Sequence, residues 1–82
     1  MKMNEARKKE VKAIIRKLMV LRDHLENIKD EEQESFDDLP DGFKESEHGR
    51  VREAEVEEAV DALDEALDAF DELADQLDEI IG

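Results

Sequence analysis

The residues that could do chemistry in this chain are carboxylates, and they come in pairs and ladders. Glu31-x-x-Glu34 and Glu58-x-x-Asp61 have the spacing by which two helical turns can hold a magnesium ion against a phosphate, and Glu45-x-x-His48 has the spacing of half a di-iron site. Neither is placed to work. Glu58 and Asp61 fall on the polar side of their helix, His48 falls at a helix start, and His24 has Leu21 where a matching Glu would stand. The segment around Asp37, Asp41 and Gly42 lacks the alternating acids of a calcium loop, because Leu39 interrupts it. There is no cysteine and no Ser-His-acid set gathered on a pocket, so the expectation is a protein that is not an enzyme and needs no cofactor or metal.

The ladder is more informative. From Val60 one seven-residue phrase is written three times: Val60-Asp61-Ala62-Leu63-Asp64-Glu65-Ala66, Leu67-Asp68-Ala69-Phe70-Asp71-Glu72-Leu73 and Ala74-Asp75-Gln76-Leu77-Asp78-Glu79-Ile80. With Val60 as heptad position a, Val56, Val60, Leu63, Leu67, Phe70, Leu73 and Leu77 fall at a, d and g. That apolar face is broader than a two-stranded seam, and it predicts the core of an oligomer. Asp61, Asp64, Asp68, Asp71, Asp75 and Asp78 occupy b and e, with Glu65, Glu72 and Glu79 at f. Three carboxylates per heptad is about one per 3.5 Å of helix, near the phosphate spacing of about 3.4 Å along one DNA strand. Such an anionic ridge suits a basic protein surface, including one that normally grips DNA; its plainer role is to keep the helix solvated.

Elements must position these residues. The chain has 82 residues, at most one domain, with 46% charged and 4% aromatic, a composition that would suggest disorder if its apolar residues were scattered. They are periodic instead. Val11, Ile14, Leu18, Leu21, Leu25 and Ile28 recur at helical steps, so a first helix is expected over about 4–36 with Asn4 as N-cap. Leu39-Pro40-Asp41-Gly42 fits a type I turn in a connector over 37–45, flanked by Leu39 and Phe43. Ser46 then caps a second helix over 46–81. The fold class expected is all-α: an antiparallel helical hairpin that self-associates into a helical bundle, with a homodimer as the simplest assembly.

Charge divides unevenly along this hairpin. Residues 1–29 carry nine Lys or Arg against four acids, and residues 30–82 carry three against twenty-two. Folding the second helix back is expected to set Asp71, Asp75, Asp78 and Glu79 beside the basic opening of the first. The net charge of −14 disfavours direct binding of nucleic acid, favours a basic partner, and comes with no apolar run of membrane-span length. The cytoplasm is the expected location. One corner departs from the acidic rule: Lys44, Ser46, His48, Gly49, Arg50 and Arg52 combine cationic side chains with a helix start, an alternative site for an anionic nucleotide held between copies. Gly49 so early in a helix costs about 1 kcal/mol relative to Ala, which calls for either close backbone packing or a ligand at the backbone.

The run Glu31-Glu32-Gln33-Glu34-Ser35-Phe36-Asp37-Asp38-Leu39-Pro40, then Ser46-Glu47-His48-Gly49, then the Leu-Asp-Glu-Ala heptads, resembles short acidic proteins recurring in bacteriophages and prophages, over about residues 25–80. That group has Arg where this chain has His48. The resemblance implies phage or prophage origin, host-cell cytoplasm as the location, and interference with a host defence or DNA-binding protein as the expected role.

Overall fold

The computed structural model describes residues 3–82. Two long helices form an antiparallel hairpin: α1 is Glu5–Asp37, a short α2 is Asp41–Glu45, and α3 is Glu47–Ile81. Asn4 caps α1 as expected, its side-chain oxygen accepting from the Arg7 N–H at 2.8 Å. Ser46 caps α3, its Oγ accepting from the Gly49 N–H at 3.1 Å while its own hydroxyl donates to the Phe43 carbonyl. The result is a rod with Cα extents of 61 × 16 × 11 Å.

The connector differs from the expected turn. Pro40 has φ −58° and ψ 144°, an extended conformation rather than the αR one that the second residue of a type I turn needs. It stands just outside α2, where a missing N–H is harmless, and its carbonyl accepts from the Lys44 N–H at 3.0 Å. Gly42 therefore lies inside a helix, and Phe43 beside it is exposed. What seats α2 is Gly49. A Cβ there would lie 1.9 Å from the Phe43 carbonyl oxygen and 2.7 Å from Lys44 Cα, so the glycine admits one backbone against another.

In the hairpin, positions a and d of α3 face α1. Val56, Leu67 and Ala74 are buried, and Val60, Leu63, Phe70 and Leu77 are half-buried. Leu73, expected in the core, is exposed, because a single partner helix covers only the seam and leaves position g outside. Ala74 is buried where its small size lets α1 come close.

The stripe of α1 that faces α3 is shifted from the expected one. Val11, Ile15, Leu18, Arg22, Leu25, Lys29, Glu32 and Phe36 are half-buried, whereas Ile14, Leu21 and Ile28 are exposed. Arg22 and Lys29 lay their aliphatic stems on the seam and send their charges sideways to α3. Cross-helix ion pairs, which periodicity does not reveal, thus choose which edge of a wide apolar face turns inward.

Candidate partner-binding surface

The anionic ridge divides into two sets. Asp64 and Asp71, at e, are engaged: Lys29 Nζ binds Asp64, and Arg22 Nε donates to Asp71 Oδ1 at 2.7 Å while its Nη1 donates to Glu26 Oε2 at 2.9 Å. Asp61, Asp68 and Asp75 at b, Asp78 at e, and Glu58, Glu65, Glu72 and Glu79 at f are exposed, and among the described residues none of them has a cation within 4.0 Å. Where the e aspartates are tied, free carboxylates thin from about one per 3.5 Å to about one per 5 Å of helix. The ridge is therefore a two-row strip of single-signed charge down the outside of α3, looser than a DNA strand. Glu65, Glu72 and Glu79 prove as available as the aspartates; their f positions, farthest from the core, are the sequence signal for that.

The hydrogen bonds that tie the e row also act on the cations. Arg22 is held further toward its charged form by its bonds to Asp71 and then Glu26, against a smaller opposing effect of desolvation. Lys29 is raised above the ordinary lysine value of 10.5, first by its bond to Asp64. A group whose pKa is raised by folding stabilises the fold fully below its unfolded value and loses that contribution as pH climbs through the folded one. The difference in melting temperature between the native protein and Lys29→Met should accordingly be constant from pH 7 to 9 and shrink above about pH 10.5, in melts followed by circular dichroism.

The basic opening of α1 is less well answered than the charge division suggests. Of the four acids expected there, only Asp71 makes a cross-helix pair, to Arg22; Asp75, Asp78 and Glu79 make none among the described residues. Arg22 opposite Asp71 and Lys29 opposite Asp64 fix the level of the two helices, so residues before about Val11 lie past the end of α3. Lys8 pairs only within its own helix, with Glu5. Arg7, Lys9, Lys12, Arg16 and Lys17 have no carboxylate within 4.0 Å among the described residues.

At the closed end, most of the alternative ligand corner is occupied by the chain itself. Lys44 Nζ donates to the Asp37 carbonyl at 2.6 Å and lies 5.6 Å from the centre of the Phe36 ring. Arg52 Nη2 bonds Glu32 at 3.0 Å, Ser46 is used as a cap, and Gly49 is buried against α2. Only His48 and Arg50 keep exposed heads with no partner among the described residues. The paired carboxylates weighed for metal do not converge either: among the described residues no three His, Cys, Asp or Glu side chains are placed to hold an ion. Among the described residues no helix is long and apolar enough to cross a membrane. No protein family, curated protein or solved structure matches the chain.

Proposed function

We propose that this protein acts by binding and not by catalysis: hairpins self-associate into a helical bundle, and the free carboxylates of α3 take a basic surface of a host protein. The observation that carries this reading is the exposed b and f rows, Asp61, Asp68 and Asp75 with Glu65, Glu72 and Glu79, one sign of charge over three consecutive heptads with no counter-cation among the described residues. Self-repulsion in such a strip opposes folding, and a cationic partner relieves it. The resemblance of the chain to small phage and prophage proteins supports a host defence or DNA-binding protein as the target and the host cytoplasm as the place of action.

The test uses the tagged protein to capture a partner from bacterial lysate at about 0.1 M salt and to release it at about 0.5 M, a range over which exposed charge contacts lose most of their reach. Replacing Asp61, Asp68 and Asp75 together by Asn should then weaken the captured partner's affinity tenfold or more with helix content unchanged. Replacing the tied pair, Asp64 and Asp71, should lower thermal stability and leave affinity within about threefold. Equal binding by the first variant would show that the ridge is only a solvated face.

A further inference from the structure

The hairpin has two unlike flanks. With Ile15, Arg22 and Lys29 of α1 and Val60, Leu67 and Ala74 of α3 at a, the e side carries the Arg22–Asp71 and Lys29–Asp64 pairs. On the other flank the g residues of both helices lie side by side: Ile14, Leu21 and Ile28 at 48%, 53% and 47% exposed, beside Leu73 at 42% and Ile80 at 37%. A shallow groove of about 250 Å³ crosses between the helices here, lined by Leu21, His24, Leu25, Ile28 and Phe70, and continues along Ala66, Ala69 and Leu73. Outside the buried seam, positions c and g of the three repeats also carry no acid, with Ala62, Ala66, Ala69 and Gln76 there; Glu55 at c lies upstream of them.

We infer that a second copy of this chain covers this flank, with the two hairpins antiparallel, the closed end of each lying over the open end of the other. The inference rests on the self-association proposed above and adds its surface and direction. The apolar strip from Ile14 to Ile28 runs about 21 Å by the helical rise along a face 61 × 16 Å in extent, so the polar residues flanking it must join the contact to approach the about 800 Å² per partner of a standard stable interface. A twofold axis at the level of Leu21 sets Ile14 opposite Ile28 of the second copy and Leu21 opposite itself. The same axis, through Leu73 of α3, sets Ala66 opposite Ile80, a small residue against a large one.

Side-chain size fits either direction of docking; charge decides between them. The open half of the rod, residues 3–20 and 72–82, holds six Lys or Arg and six acids, a net charge of zero, whereas the closed half, 21–71, holds five against twenty, a net of −15. Most of those carboxylates, at b, e and f, point away from the shared flank. At c and g the closed half carries Glu31 and Glu55 against Arg52 and the open half Arg7 and Lys17 against Glu10, so parallel docking sets like signs together across helices about 10 Å apart. Antiparallel docking sets each −15 half against a neutral one. On the flank itself it sets the net −1 of the closed half against the net +1 of the open half.

Because the chain contains no cysteine, one label reports the direction. Asp38→Cys is exposed at the closed end, 17 residues from the axis. Spin labels there should lie roughly 50 Å apart in the antiparallel pair and about 20 Å apart in a parallel one, by the helical rise. Sedimentation supplies the mass and circular dichroism the helix content. Expected are a dimer, the long distance, a dimer dissociation constant raised at least 100-fold by Leu21→Glu, and no change from Val20→Glu on the outer face. A monomer at all concentrations overturns self-association itself, and a mass above two copies overturns the pair. A dimer with the short distance overturns the direction and leaves self-association standing. A dimer with the long distance that is indifferent to Leu21→Glu overturns the flank.

Discussion

Gly49→Ala should lower the melting temperature by roughly 8–16 °C, although helix propensity alone argues the opposite. Within a helix Ala is better than Gly by about 1 kcal/mol, so an open position would gain stability. Here the new methyl carbon would sit 1.9 Å from the Phe43 carbonyl oxygen and 2.7 Å from the Lys44 backbone. Both obstacles are main chain, so no side chain can swing away. Either α2 lifts off α3 or the first turn of α3 distorts, and the Ser46 cap, which spans both elements, is lost with it. Overpacking of this kind costs about 3 kcal/mol at the upper end of its usual range, leaving a net loss of about 2 kcal/mol after the propensity gain. For a domain of this size each kcal/mol moves the midpoint by about 4–8 °C. Gly42→Ala is the matched control: it is helical too, nothing lies within 4 Å of its added carbon, and it should raise the midpoint by a few degrees. Melts of the two variants that moved in the same direction would show that α2 is not seated on Gly49.

The same glycine shows what a sequence of this kind discloses. A breaker placed at the third residue of a helix has to be explained by something close to its backbone, and the partner proves to be the chain's own connector. Both caps, Asn4 and Ser46, were legible because a side chain that accepts from the N–H three residues on is a local matter. So was the a/d seam of α3, written three times over. The connector helix was not legible, since the five residues of α2 are too few to show a period and Pro40 reads equally as a turn or as the residue before a helix. Nor was the inward edge of α1: Ile14, Leu21 and Ile28 look like core until Arg22 and Lys29 are seen to reach Asp71 and Asp64. Those two pairs also divide the ridge, turning two of six equivalent-looking aspartates into ties and leaving the rest free. In each case what escaped was a choice between neighbouring heptad positions, settled by which side chains meet across the hairpin.

That choice sets two leucines six residues apart on opposite sides of the energetics. Leu67 is 5% exposed in the single hairpin, and truncating it to Ala removes buried methyl groups and leaves a void between two rods that have little else to fill it. The usual cost of about 2–5 kcal/mol is large against the total of about 4–12 kcal/mol expected for a chain of this length. Leu67→Ala should therefore shift the urea midpoint down by a third or more and show broad loss of helix on warming. Leu73 already meets solvent, so Leu73→Ala should cost the isolated hairpin under about 1 kcal/mol. If a second copy covers the g flank, that small cost holds only in dilute solution; at concentrations where the dimer forms, Leu73→Ala should lose stability that Leu67→Ala loses at every concentration. Urea melts of both variants at two protein concentrations a hundredfold apart separate the hairpin's own core from the surface it shares. A Leu73 effect that did not grow with concentration would return position g to the role of an exposed edge.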